Sequence, residues 1–286
     1  MRAMILAAGR GERMRPLTDT LPKPLLPAAG KPLIVWHIER LVRAGIREII
    51  INHAWLGRLI EERLGDGRRY GASISYSAER QALETAGGIA QALEFFRGEP
   101  FLVVNGDIWC DWDPAEALGR QTELAAAGLQ AWLLLVPNPP HHPGGDFELQ
   151  ADRMLHAPAT DMPQAAASRD AGAADIGGAG SHTAADAHPG ARTARGAAAA
   201  SGSDTRRYTY SGIGVYHPAL FSGLEKDRPA PLAPLLRRAM RAGQVAGRVY
   251  EGTWIDVGTP QRLREIDCLL GARAGTASAA ASPKAC

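Results

Sequence analysis

Immediately behind a short apolar run, the stretch LAAGRGERMRPLTDTLPKPLL (6–26) gathers Gly9, Gly11, Arg13, Arg15 and Lys23. Glycines at 9 and 11 let the backbone turn tightly and aim N–H groups at an anion. Arg13 and Arg15 add forked donors that match phosphate oxygens. Lys23 stands between Pro22 and Pro24, which restrict the backbone on both sides of its ammonium. The loop therefore suits a phosphorylated ligand, set against the plainer reading of a turn with solvated basic residues. Two familiar phosphate loops are excluded. The dinucleotide fingerprint needs a third glycine at the helix start, where Met14 stands. It also needs an acidic residue near the end of the second strand, where Asn52 and His53 stand. The Walker A loop needs a G-K-[ST] triplet, which the loop lacks.

The elements that must hold this loop follow from periodicity. AMILAAG reads as a buried parallel strand. KPLIVWHIERLVRAG (31–45) reads as a helix, with Leu33, Trp36, His37, Arg40 and Leu41 at helical spacing and Gly45 as its stop. IREIIINH (46–53) is a β-branched strand, and WLGRLIEERLGDG (55–67) an amphipathic helix closed by glycine. ASISYSAE (72–79) alternates as a strand. TAGGIAQALEFF (85–96) reads as a helix entered through a glycine turn, and PFLVVNGD (100–107) as a buried strand. This alternation implies right-handed crossovers and a mostly parallel sheet with helices on both faces, a Rossmann-like α/β fold. Ligands in such sheets sit beyond the carboxyl ends of the strands. The Gly9–Gly11 loop and the NGD of 105–107 both fall there.

Farther on, strands are expected at 128–138 and 145–149, then at RYTYSGIGVYHPALF (207–221). A strand pair is expected in VAGRVYEGTWIDVGTP (245–260), and helices in PLAPLLRRAMRAG (231–243) and QRLREIDCLLGA (261–272). From about 157 to 204 the chain is rich in Ala, Gly, Ser and Asp and nearly free of large apolar residues, so it reads as a disordered insertion into a single domain spanning 1–274. The residues from Gly275 read as a flexible tail. The net charge of +2 gives no bulk attraction for nucleic acid or membrane, so any anion site is local. Three widely spaced cysteines, Cys110, Cys268 and Cys286, argue against a disulfide or zinc framework and for a reducing cytoplasm. The N-terminal apolar run is too short for a signal-peptide core, and no stretch reaches the roughly 18 apolar residues of a membrane span. A soluble, cytoplasmic monomer is expected.

Residues 6–34 resemble the signature of the sugar-1-phosphate nucleotidyltransferases: a strand, then G-x-G-x-R-[ML]-x-P-x-T, then P-K-[PA]. ETAGGI (84–89), with Glu84 where glycine is common, NGD (105–107), SGIGVY (211–216) and WIDVGTP (254–260) match the family in order. The resemblance covers the chain apart from the insertion and the tail. It implies a nucleotide-diphospho-sugar transferase fold. It also implies attack of a sugar-1-phosphate oxygen on the α-phosphorus of a nucleoside triphosphate, with pyrophosphate leaving. Gly9, Gly11 and Arg13 would hold the triphosphate, and Lys23 would touch the reacting phosphates. Leu6, Ala8, Glu79, Thr85 and Gly88 would meet the nucleoside. Asp107 and Asp256, hard oxygen ligands at strand ends, would bind Mg²⁺. The ion and the cationic side chains would offset the repulsion between two anions, about 4 kcal/mol for unit charges at ~4 Å and an effective dielectric near 20.

INHAWLGRLIEERLGDG (51–67), ETAGGI, NGD, NPPHHPGGDFEL (138–149), SGIGVYHPALF (211–221) and LAPLLRRAM (232–240) together look like the branch of the family that makes UDP-N-acetylmuramate in peptidoglycan recycling, in a single domain without hexapeptide repeats. Its sugar carries a lactyl carboxylate and an acetamido group. Asn105, Asn138, Gly145, Asp146, Ser211 and Gly212 are the sugar-site candidates. His141 and His142 follow the same strand, but the Pro-rich loop also reads as a rigid connector, the favoured reading for His142. Trp55 and Trp109 read as core or rim. Mannose-1-phosphate guanylyl and glucose-1-phosphate thymidylyl transfer are the alternatives within the family. A non-catalytic nucleotide-sugar sensor is the alternative outside it.

Overall fold

The computed structural model describes residues 1–150, 154–156 and 206–280, the last seven as backbone alone. The Ala- and Gly-rich segment at about 157–204 and the final residues 281–286 lie outside the described residues. The first half of the chain gives β1 (Ala3–Leu6), a small hairpin of β2 (Pro27–Ala28) and β3 (Lys31–Pro32), α1 (Leu33–Arg43), β4 (Glu48–His53), α2 (Gly57–Leu64), β5 (Ser73–Ala78), α3 (Glu84–Ala92) and β6 (Phe101–Asn105). Then come β7 (Ile108–Cys110), α4 (Glu116–Ala127), β8 (Ala131–Val136), β9 (Phe147–Leu149) and β10 (Leu155–His156). The last part holds β11 (Arg207–Tyr216), α5 (Leu232–Arg241), β12 (Val245–Val249), β13 (Trp254–Asp256) and α6 (Pro260–Ala280).

The centre of the sheet runs β5-β4-β1-β6, all parallel, with Ala3 level with Ile49 on one side and Leu102 on the other. Alternation along β1 sends its side chains into two of the core clusters. Ala3 and Ile5 face a cluster that includes Ile34, Ile38, Ile49 and Trp132. Met4 faces the opposite one, with Ile89, Phe101, Tyr216 and Leu236. Each such aliphatic side chain, fully buried, contributes roughly 1.5–3 kcal/mol. The helices cover both faces, as the alternation of elements requires. Among the described residues, no helix is long and apolar enough to cross a membrane.

Beyond β6 the sheet turns antiparallel. β11 lies against β6 and β8 in that sense, with a register shift between Tyr210 and Ile213. The shift leaves Ser211 and Gly212 as a bulge, and Gly212 takes the left-handed φ of 83° that the bulge needs.

Three local expectations are corrected. β12 and β13 do not pair with each other: β12 runs parallel to β8 and β13 antiparallel to β7. The link between them is tied to the β7 side, because Asp111 Oδ1 accepts from both Tyr250 Oη (2.7 Å) and Thr253 N (2.8 Å). Second, Gly87 and Gly88 form no turn. They sit inside α3, where a Cβ on Gly87 would meet Arg228 O at 2.5 Å and one on Gly88 would meet Glu79 Oε1 at 2.6 Å. Close packing requires them. The left-handed residue at the start of this helix is Glu84, with φ 58°, which accounts for glycine being common there. Third, α6 continues past Gly275 to Ala280. Ala277, Ala279 and Ala280 are strong helix formers and offset the glycine.

Candidate active site

The carboxyl ends of β1, β4 and β6 open into one cavity of about 490 Å³. Leu6, Ala8, Gly9, Gly11, Arg13 and Lys23 line it from the basic loop, Thr85 from α3, and Asn105 and Asp107 from β6 and its end. The loop keeps its shape through Gly11, whose φ is 70°, and through Thr18 Oγ1, which donates to Gly11 O at 2.8 Å. Lys23 lies in a single 3₁₀ turn entered from extended Pro22 and is almost wholly buried. Its Nζ donates to Asp107 Oδ2 at 2.8 Å. Arg15 instead points outward and pairs with Asp19 at 2.7 Å. Arg10 stacks on Trp55, whose Nε1 donates to Thr18 O, so Trp55 braces the loop from behind.

A second cavity of about 330 Å³ adjoins the first and shares Asn105 and Asp107 with it. Asp146, Ser211, Gly212, Asp256, His141 and His142 line it. Asp256 lies opposite Ile108 across the β7–β13 pair, and Val257 N donates to Asp107 O at 2.9 Å. The two aspartates therefore flank one short strand pair, facing the basic loop. Arg13 reaches the same spot: a Cβ on Gly258 would lie 3.1 Å from Arg13 Nη2 and 3.1 Å from each Asp256 carboxylate oxygen.

Four sequence candidates stand behind these walls rather than in them. Glu79 is buried. Its Oε1 accepts from Asn52 Nδ2 at 2.6 Å and its Oε2 from Leu83 N at 2.8 Å. Burial pushes its carboxyl up from the ordinary value, against the pull of those two bonds. Gly88 packs on that pair. Asn138 turns back into its own loop: its amide donates to Pro143 O and Arg207 O and accepts from Thr209 Oγ1. Gly145, with φ 59°, packs directly against Asn138. These residues shape the walls.

Sequence reasoning passed over two residues. Asn52 lines the first cavity, and its Oδ1 accepts from Ala7 N at 3.0 Å, pinning the end of β1. Arg262, in the first turn of α6, donates to Asp256 Oδ2 at 2.6 Å and to Asp256 O at 3.0 Å. Its position just beyond a candidate ligand was the available signal. Both His141 and His142 line the second cavity.

The donor set suits a hard divalent cation. Asp107 and Asp256 offer carboxylate oxygens on one strand pair, and the cavity beside them leaves room for ligand oxygens and water. Among the described residues no group of three or more His, Cys, Asp or Glu could hold a metal alone, so ligand oxygens or water would complete the shell. Lys23 and Arg262 each pair with one of the two carboxylates.

The backbone that carries Asp107 is fixed by His37 of α1, whose Nε2 donates to Ile108 O at 2.8 Å. Burial and the neighbouring Arg40 push this imidazole down from 6.5 to about 4. A depressed imidazole binds its proton in the unfolded chain first. Stability should therefore be full above pH 6.5 and fall as the pH drops toward 4, by a total on the order of 3 kcal/mol. Urea midpoints from pH 7.5 to 4.5 check this. His37→Gln keeps a donor for Ile108 O and should flatten the dependence. An unchanged slope in that variant would assign it to other groups.

The family profile for nucleotidyl transferases matches residues 2–152. Over 273 residues the chain is 48% identical to the N-acetylmuramate alpha-1-phosphate uridylyltransferase of Neisseria meningitidis serogroup B, covering 95% of this chain and 99% of that protein. The enzyme of the same name from Caulobacter vibrioides is 32% identical, over 91% of this chain and 92% of its own length. Among solved structures, a putative glucose-1-phosphate thymidylyltransferase from Bacillus anthracis superposes with a TM-score of 0.70 at 20% identity, covering 95% of both chains, a likeness of fold.

Proposed function

The chain belongs to the nucleotidyl transferase family, and from that premise we propose that it joins UTP to N-acetylmuramate α-1-phosphate, giving UDP-N-acetylmuramate and pyrophosphate. The observation that carries this reading is the meeting of two cavities at Asn105 and Asp107. One is walled by the basic glycine loop and the other by Asp146, Ser211 and Gly212. A triphosphate in the first and a sugar phosphate in the second would bring their phosphates together between Lys23, Arg13, Asp107 and Asp256. The product serves peptidoglycan recycling, and the enzyme works in the cytoplasm as a monomer.

A sugar-phosphate oxygen forms a bond to the α-phosphorus while the bond from the α-phosphorus to the β-bridging oxygen breaks. The attacking phosphate is already ionised near neutral pH, so the site needs no general base. Backbone N–H groups at Gly9 and Gly11, with Arg13, hold the β- and γ-phosphates. Lys23 stabilises charge that grows on the α-phosphate and the leaving group. Leu6, Ala8, Thr85 and Asn52 meet the nucleoside, and Glu79 and Gly88 fix Asn52. Asn105, Asp146, Ser211 and Gly212 meet the sugar, and Asn138 and Gly145 fix the loop above it. Members of the family generally use a divalent metal ion, and here Asp107 and Asp256 would hold Mg²⁺. When bound, the ion polarises the α-phosphate and offsets the charge that the two substrates bring.

Pyrophosphate release with UTP, GTP and dTTP, each against N-acetylmuramate, mannose and glucose 1-phosphates, tests the assignment. UTP with the muramate substrate should give the highest kcat/KM. UTP with glucose 1-phosphate as the best pair would overturn the sugar, and GTP or dTTP as the best nucleotide would overturn the base.

A further inference from the structure

The sugar cavity is acidic at three places, Asp107, Asp146 and Asp256. Lys23 neutralises the first at 2.8 Å and Arg262 the third at 2.6 Å. Among the described residues, the remaining side chains on its wall that can carry positive charge are His141 and His142. A sugar phosphate with a second anion, remote from its phosphate, would be repelled there unless a donor waits for it. N-acetylmuramate is such a sugar: the lactyl ether on O3 ends in a carboxylate.

The two imidazoles are not equivalent. His141 Nε2 lies 3.1 Å from Arg262 Nη1 and 3.6 Å from Asp256 Oδ2. A guanidinium only donates, so this nitrogen accepts, and His141 is drawn toward the phosphate end. His142 Nε2 lies 3.1 Å from Asp146 Oδ1, an acceptor, so this nitrogen carries a hydrogen. Its Nδ1 makes no hydrogen bond among the described residues. As an imidazolium, His142 would donate with both nitrogens, Nε2 to Asp146 and Nδ1 to a ligand.

The seat is rigid. Asp146 Oδ2 accepts from Tyr210 N at 2.8 Å, and Asp146 N donates to Tyr208 O at 2.8 Å. Asn138 clamps the other end of the loop onto Arg207 and Thr209 of β11. A donor held this way loses little freedom on binding. We infer that His142, seated on Asp146, is the group that recognises the carboxylate of the sugar substrate and so separates it from the same sugar without the lactyl ether. The inference rests on the substrate reading given above.

Calorimetric titration with UDP-N-acetylmuramate and UDP-N-acetylglucosamine tests it, because the two nucleotide sugars differ in the lactyl ether alone. The wild type should bind the first more tightly. His142→Asn should weaken the first roughly 10- to 100-fold, the range for a hydrogen bond to a charged group, and leave the second nearly unmoved. His141→Asn, on the same loop, should not erase the preference. Equal weakening of both ligands by His142→Asn, or of neither, or selective loss in His141→Asn instead, overturns the assignment of His142 while the muramate reading stands. A wild type that binds the two alike removes that reading, and the inference with it.

Discussion

Asp107→Asn should lower turnover about 1,000-fold or more, since a metal ion supplies several kcal/mol of transition-state stabilisation and each 1.36 kcal/mol is tenfold. The residue is placed without freedom. Gly106 N donates to Leu6 O at 2.8 Å, and any Cβ on Gly106 would lie 2.7 Å from that oxygen. Val257 N holds the Asp107 carbonyl from the other side. Asparagine fits the same space and keeps these backbone bonds, so the fold should survive. What goes is the charge that a divalent ion needs and that Lys23 now balances. Nucleotide should still bind, because the glycine loop and Arg13 are untouched. The checks are kcat from pyrophosphate release, nucleotide affinity by calorimetry, and the metal concentration for half-maximal rate, which should rise. A fall in kcat smaller than about tenfold would take Asp107 away from the reacting phosphate. A wild type that binds nucleotide and releases no pyrophosphate would favour the sensor reading.

The parts of this site that were legible in the sequence are those built by consecutive residues. The buried strand, the Gly9–Gly11 turn and Lys23 lie within one stretch, and they line one cavity. The NGD at the end of β6 was legible for the same reason, since strand ends in a parallel sheet converge on one edge. Elements that depend on three segments crossing were not. Glu79 and Gly88 read as ligand contacts because they flank a polar turn. In the fold they close on Asn52, and no local pattern shows that β4, the end of β5 and α3 meet there. Asn138 likewise offers an amide that a sugar could use, but three partners inside the protein take it.

The sense of a strand is also hidden from periodicity. The apolar run of β11 suits either direction, and its antiparallel seat beside β6 is what puts the Ser211–Gly212 bulge over Asn105. Arg262 was missed for a different reason. An arginine in the first turn of a helix is ordinary. It becomes part of the site because β13, pairing with β7 rather than β12, carries Asp256 to it. Arg15 shows the converse. Its charge matches Arg13, but it lies where the loop turns outward, and Asp19 satisfies it at the surface.

Lys23→Met separates the two cationic contributions that a carboxylate variant cannot. The lysine stem is buried, and methionine fills nearly the same volume with a flexible thioether. Stability should change little, because Asp107 is half-exposed and water can solvate it once unpaired. Turnover should fall roughly 100- to 1,000-fold, the loss typical of removing one preorganised donor from a developing negative charge. The metal requirement should move the opposite way from Asp107→Asn. In the proposed site a divalent ion would compete with Lys23 for the same carboxylate, so removing the lysine should leave the half-saturating metal concentration unchanged or lower it. If that concentration instead rises along with the loss of turnover, Lys23 acts by orienting Asp107 and not by touching the phosphates. The two variants read together therefore decide whether the 2.8 Å contact between Lys23 and Asp107 is a resting-state pairing that substrate and metal dissolve, or a permanent brace.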